Sequence, residues 1–174
     1  MERAWNMFQV GDLVVYGVHG VCRIVSQEER RIDKKSVAYL ALEPVGQGDS
    51  RFLVPLGNAA AMAKLQRIMS KEELEAMLDP EKDKEDDWIR DENQRKQVYR
   101  ELITSGDRAR LIRMIRTLYR HKAVQAASGR KNHLCDENFL HDAEKLLAGE
   151  VSVVLNLDTE QARDYIHKRL KEDA

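Results

Sequence analysis

Leu13-Val14-Val15-Tyr16, closed by Gly17 and Gly20 and followed by Val21-Cys22-Arg23-Ile24-Val25, is the stretch that decides the fold. β-Branched and aromatic residues in short runs, punctuated by glycine, predict two strands joined by a tight connection. Working outward, Glu28 to Lys35 is polar and charged and predicts a turn region. Val37-Ala38-Tyr39-Leu40-Ala41-Leu42 predicts a third strand, Gly46-Gln47-Gly48-Asp49 a turn, and Arg51-Phe52-Leu53-Val54-Pro55 a fourth strand. Pro55 has no N–H to give to a ladder, so it ends that strand or lies on an edge. Four or five short strands in about sixty residues predict a small, strongly bent barrel of the SH3 or Tudor kind.

Beyond Pro55 the pattern turns helical. Asn58 can cap a short helical segment, Ala59 to Met69, and Ser70 followed by Glu73 fits a capping box that opens a helix through Leu78. Asp79-Pro80 stops it, and Glu81 to Asp87 carries no apolar residue, which marks a linker. Trp88-Ile89 then starts a helix running to about Thr104, with Val98, Tyr99 and Leu102 inward. Ser105-Gly106-Asp107 breaks it, with Ser105 as the candidate cap of the next. That next helix, Arg108 to about Ala127, places Leu111, Met114, Ile115 and Leu118 on one side and Arg113, Arg116 and Arg120 on the other. Ser128-Gly129-Arg130-Lys131 is a basic turn. Asp136 is the candidate cap of a helix carrying Phe139, Leu140, Ala143, Leu146 and Leu147 to about Leu155, and Asp158 caps a last one, Thr159 to Lys171.

The prediction is therefore α+β: residues 1–68 a small SH3/Tudor-like β-barrel, 69–87 a short helix and acidic linker, and 88–174 an all-α domain, for about four to five helices in the C-terminal part. The 174 residues suffice for two small cores. The formal net charge of −1 hides a strong pattern. Residues 88–132 hold 12 Lys and Arg against 4 Asp and Glu, flanked by blocks of net −6 (69–87) and −5 (133–174). A local field of that size steers anionic partners. Arginine outnumbers lysine nine to three in the basic block, and arginine is the preferred phosphate binder. A solvated face neutralised by the acidic flanks accounts for the same pattern.

Motifs for catalysis are missing from the sequence. There is no Gly-rich phosphate loop, no GxSxG and no HExxH. His133, Cys135 and His141 match no standard zinc spacing and read more simply as the approach to a helix with a packed thiol. His19, in a Gly-flanked turn, reads as a turn histidine bonded to backbone rather than as a base. Cys22 and Cys135 form no CxxC and predict reduced thiols in a cytoplasmic protein. No window approaches 18 apolar residues, so no membrane span is predicted. Trp88, directly after Lys84-Glu85-Asp86-Asp87, has two readings: an aromatic packed on a neighbouring helix, or an apolar wedge against an unstacked base step.

The order of these segments resembles the CarD/CdnL family. Phe8-Gln9-Val10-Gly11-Asp12-Leu13-Val14-Val15-Tyr16 followed by Gly17-Val18-His19-Gly20-Val21 is similar to its opening, which also resembles the polymerase-interacting domain of transcription-repair coupling factors. Val54-Pro55-Leu56-Gly57-Asn58-Ala59 resembles the family's closing strand and turn. Ser105-Gly106-Asp107 with Leu111 to Tyr119, and Ala143-Glu144-Lys145-Leu146-Leu147 with Glu150, resemble the core of its helical domain. The resemblance runs from about Met7 to Leu157.

What the resemblance implies is a Tudor-like domain that pairs with an edge of the RNA polymerase β subunit, and a helical domain that meets promoter DNA at the upstream edge of the bubble, where a tryptophan wedges into the minor groove and stabilises the open complex. It implies no catalysis, no cofactor and no small-molecule substrate. Carried onto this chain, the polymerase-binding residues are Arg30, Arg31, Arg51, Phe52 and Leu53. Leu53 stands where many members have arginine, and Arg51 lies on the same strand face by alternation. The DNA-binding residues are Trp88, Arg90, Arg95, Lys96, Arg113, Arg116, Arg120, Arg130 and Lys131. Many members place the tryptophan near Glu92, four residues later, which is close to one helical turn if the helix has begun by Trp88. Glu137, Asn138 and Asp142 occupy positions that are often basic in the family. The expected partners are therefore the polymerase β subunit and promoter DNA, with the free chain monomeric. The alternative is a protein-interaction module that makes no DNA contact.

Overall fold

The computed structural model describes residues 7–46, 48–79 and 86–171, and the chain divides into two compact units, 1–68 and 69–174. Trp5, Gln47 and most of the acidic stretch from Glu81 lie outside the described residues.

The first unit is one antiparallel sheet of β1 (Leu13–Tyr16), β2 (Val21–Ile32), β3 (Lys35–Pro44), β4 (Phe52–Pro55) and β5 (Leu65–Arg67), in the order β4-β3-β2-β1-β5. The predicted small β module is present, but its sheet is open: β4 and β5 are its two edges and do not pair with each other. A 3-10 turn, Gly17–His19, joins β1 to β2, and Gly20 after it takes φ 72°, which only glycine adopts without strain. Val14, Cys22, Ile24, Leu40, Leu42, Val54 and Leu65 form the core, with Phe8, Leu56 and Met62 packed around it. Each fully buried aliphatic side chain contributes about 1.5–3 kcal/mol.

Two differences from the sequence prediction have clear causes. The β2–β3 hairpin runs on through the charged segment to a two-residue turn, Asp33-Lys34, with φ values of 50° and 66°. That pair matches the twist of the strands, so polar residues simply continue the ladder into solvent. A bulge between Ile24 and Ser26 shifts the register there. Secondly, the helix after Asn58 is only α1 (Ala59–Ala63), and Leu65–Arg67 becomes β5 by pairing with β1, Tyr16 opposite Leu65 and Val14 opposite Arg67. Covering the open edge of β1 and burying Leu65 outweigh helix propensity there.

The second unit is built from α2 (Lys71–Met77), α3 (Glu92–Ser105), α4 (Arg108–Ala127), α5 (Leu134–Leu155) and α6 (Thr159–Lys171). The short helix α2, grouped with the linker from sequence, contributes Leu74 and Leu78 to the core of this unit. Its predicted capping box is present: Glu73 N–H donates to Ser70 Oγ (3.1 Å) and Ser70 N–H to Glu73 Oε2 (2.8 Å). A reciprocal pair, Asp158 with Gln161, opens α6. Two helix starts and one helix cap differ from expectation. α3 begins at Glu92, not Trp88, because Asp91 accepts the Gln94 N–H (2.7 Å). α4 is capped by Asp107, which accepts the Arg110 N–H (3.1 Å), rather than by Ser105. α5 starts at Leu134 with His133 as its N-cap, and Asp136 lies inside its first turn, fully buried.

Helix α4 occupies the centre. Leu111, Ile112, Met114, Ile115, Leu118 and Tyr119 are all buried, and so are Arg116 and Thr117 between them. Over Leu111 to Tyr119 the expected one-sided apolar stripe is enclosed nearly all round, with Arg113 the exception, while Arg120 to Ala127 is largely exposed. Glu150, 3% exposed, ties the start of α2 to the start of α4: it accepts the Met69 N–H (3.0 Å) and pairs with Arg108 (2.7 Å). No helix among the described residues is long and apolar enough to cross a membrane.

Candidate functional site

In the β unit, the candidate residues gather at the edge formed by β4 and along the neighbouring strands. The Leu56 N–H donates to the Ala38 carbonyl (2.9 Å), and Leu40 pairs with Val54 and Leu42 with Phe52. In an antiparallel ladder the hydrogen-bonding groups alternate sides, so Phe52, Val54 and Leu56 turn theirs toward β3. Leu53 therefore points its N–H and C=O to the open side, and Pro55, two residues on and the next position on that side, offers no donor. The edge presents one unpaired donor and acceptor set flanked by an imino acid.

Beside that edge sits an aromatic group that sequence did not connect. His19 lies on Phe52 with ring centroids 4.1 Å apart, and Tyr16 stacks on His19 at 5.5 Å. The turn histidine thus contacts rings rather than backbone. Arg51 and Arg30 share Glu28: Arg51 pairs with one carboxylate oxygen and also donates to Ser26 Oγ (3.0 Å), while Arg30 reaches the other oxygen at 3.3 Å. Partial burial of Glu28 raises its pKa, but the Ser26 hydroxyl and the two guanidiniums outweigh this and hold the carboxyl below the usual range. Arg31 is exposed at the far end of the hairpin, opposite Ser36.

In the helical unit, the eight candidate cations separate into three groups, and Trp88 stands apart from them. Arg90, Arg120, Arg130 and Lys131 are exposed. Lys96 pairs with Glu92 one turn away, and Arg113 lies 3.9 Å from Asp86. Arg95 and Arg116 are buried, 3% and 4% exposed, and this corrects their expected place on a solvent face. Arg116 donates to the carbonyl of Leu78 (3.0 Å) at the end of α2, where a helix leaves acceptors unsatisfied. Arg95 makes a two-pronged pair with Asp136, Nε to Oδ1 at 2.8 Å and Nη2 to Oδ2 at 3.1 Å. Desolvation lowers the pKa of Arg95, and the Asp136 hydrogen bonds more than offset it, so the guanidinium is held charged.

Trp88 lies in the irregular segment before Asp91, outside any helix, so the helical-turn argument for its placement does not hold. Other contacts place it. Its ring stacks on His121, centroids 3.5 Å apart and 6° from parallel, and the Arg95 guanidinium carbon lies 4.5 Å from the ring centroid. The segment around it is tied by the Asp86 N–H to Thr117 Oγ1 (2.9 Å) and by Arg95 Nη1 to the Ile89 carbonyl (2.9 Å). The indole packs against the core yet stays partly exposed. His121 and Asp136, both missed from sequence, complete this arrangement. Among the described residues, no three His, Cys, Asp or Glu side chains are grouped so as to hold a metal ion.

Comparison with known families gives two matches that together span most of the chain. A model described as the CarD-like/TRCF RID domain matches residues 8–69, and a model described as the CarD C-terminal domain matches residues 70–167.

Proposed function

The chain belongs to the CarD family of RNA-polymerase-interacting, non-enzymatic transcription regulators, and from that premise we propose that its β unit docks on the polymerase β subunit while its helical unit contacts promoter DNA at the upstream edge of the bubble and stabilises the open complex. The free chain acts as a monomer in the cytoplasm. The observation that carries the polymerase half is the outward-facing backbone of Leu53 on an edge strand. A strand from a partner can add there, with main-chain hydrogen bonds giving affinity and side chains giving specificity. Phe52 with its aromatic neighbours supplies apolar contact, and Arg30 and Arg51 offer charge that a partner carboxylate can share in competition with Glu28.

The DNA half is supported by Trp88, partly exposed, and by the outward cations Arg90, Arg120, Arg130 and Lys131. Lys96 and Arg113 contribute at the margin, and Arg95 and Arg116 act from inside the unit. One observation favours the second reading, a polymerase-binding module without DNA contact: Lys96, Arg113, Arg95 and Arg116 are engaged within the unit, which thins the basic surface.

Two binding measurements test the proposal. The full chain is expected to retain the polymerase β subunit in a low-salt pull-down. It is also expected to bind a promoter fork with affinity that falls steeply as salt rises, because each neutralised phosphate releases counterion. Failure of the pull-down contradicts the adaptor role, and salt-independent or absent fork binding leaves the polymerase-only reading.

A further inference from the structure

We infer that Arg95, Asp136 and His121 are positioning residues that hold the Trp88 indole ready for a base step, and that Arg95 does not itself touch nucleic acid. This rests on the wedge role proposed above for Trp88. A wedge must separate stacked bases, which costs a few kcal/mol, and ordering a loose side chain at that moment adds to the cost. A ring already fixed in place avoids the second part.

Trp88 needs such fixing, because it lies outside α3 and no helix sets its direction. The structure supplies it from three sides of the chain. Arg95 on α3 holds the backbone through the Ile89 carbonyl (2.9 Å) and faces the indole at 4.5 Å. Asp136 on α5, 0% exposed, holds Arg95 through both carboxylate oxygens, so the guanidinium cannot turn to solvent without stranding a buried carboxylate. His121 on α4 provides the flat surface on which the indole lies, and its own ring is within 3.1 Å of the Gln125 side-chain amide one turn on.

The emission of Trp88 reads this arrangement directly. In the full chain carrying Trp5→Phe, Trp88 is the sole tryptophan, since the sequence has 2. A protonated imidazole in contact with an indole quenches it, and histidine takes up its proton near neutrality. Burial holds the His121 pKa below its ordinary 6.5, Asp136 works in the opposite direction, and Arg95 and His133 disfavour the proton further. Emission is therefore expected to fall on acidification with a midpoint below 6.5. His121→Phe, which keeps a stacked ring but takes no proton, is expected to remove that step.

The functional counterpart is affinity for a labelled promoter fork. His121→Ala is expected to weaken it about two- to tenfold, the size of an aromatic pair, and His121→Phe to restore it. Persistence of the acid step in His121→Phe overturns the inference. So does parental fork affinity in His121→Ala when Trp88→Ala is weakened. Parental affinity in Trp88→Ala instead sinks the wedge role itself, and the emission step still decides whether the seat exists.

Discussion

The indole of Trp88 lies flat on the imidazole of His121, 3.5 Å between centroids and 6° from parallel. The ring is therefore already packed in the free chain. Trp88→Ala is expected to lower the unfolding free energy by about 1–2 kcal/mol, less than the ~3–5 kcal/mol of a fully buried tryptophan, because the ring stays partly exposed. Urea denaturation of the full chain checks this. A loss of the full buried size would mean the ring is core rather than surface.

Arg95 and the Arg130-Lys131 turn should behave in opposite ways. Arg95→Ala leaves Asp136 buried and unpaired, which is expected to cost about 3–5 kcal/mol of stability. Arg130→Ala with Lys131→Ala changes exposed side chains and should alter stability by no more than about 0.5 kcal/mol. The same double variant is expected to weaken fork binding and to reduce the slope of log affinity against log salt by about two. Unfolding midpoints and a salt series on one fork separate the two outcomes.

Leu53→Pro tests the edge strand. It removes an N–H that faces outward, so the β3–β4 ladder keeps its bonds and the chain should stay folded by circular dichroism. Retention on the polymerase β subunit is expected to be lost. Phe52→Pro removes an N–H that faces β3 and is expected to unfold the edge instead. Normal retention by a folded Leu53→Pro chain would move the docking surface elsewhere.

Acid sensitivity of the helical unit should involve Glu75. The Tyr165 hydroxyl and Arg169 (2.6 Å) hold its pKa below the ordinary 4.5. A carboxylate with a depressed folded pKa contributes stability that is fully present above its unfolded pKa and is lost as pH falls through the folded value. Stability is thus expected to be unaffected by this group above about pH 5 and to decline below it. Glu75→Gln should make the acid limb of a stability–pH curve shallower.

The two thiols should differ in reactivity. Burial raises the Cys22 pKa to about 11, and its side chain is fully enclosed in the β core. Cys135, partly exposed at the start of α5, is expected to be alkylated first at pH 8, with Cys22 modified only when the β unit unfolds. Mass spectrometry of the alkylated chain under native conditions gives the order directly.

Local chemistry was legible in the sequence wherever it acts over a few residues. The β-branched run at Leu13 to Tyr16, the Asn58 cap and the Ser70–Glu73 capping box all appear where the residues place them. The start of α3 was not legible, since Trp88 reads as the start and the Asp91 cap shows only in the structure. What local pattern could not give depends on partners far along the chain. Arg116 is buried because of the Leu78 carbonyl 38 residues away, and Arg95 because of Asp136 at a separation of 41. On a helical wheel both looked like solvent-facing cations. β5 was missed for the same reason, since Leu65-Gln66-Arg67 becomes a strand only against β1.

The central claim, a bridge between polymerase and the promoter bubble, is tested most directly by the lifetime of a promoter open complex formed by purified RNA polymerase after challenge with competitor. With the full chain present, the lifetime is expected to lengthen, and Trp88→Ala is expected to return it toward the value without the chain while polymerase β-subunit retention is unchanged. A lifetime that is the same with and without the chain, or the same for the parental chain and Trp88→Ala, would contradict the account.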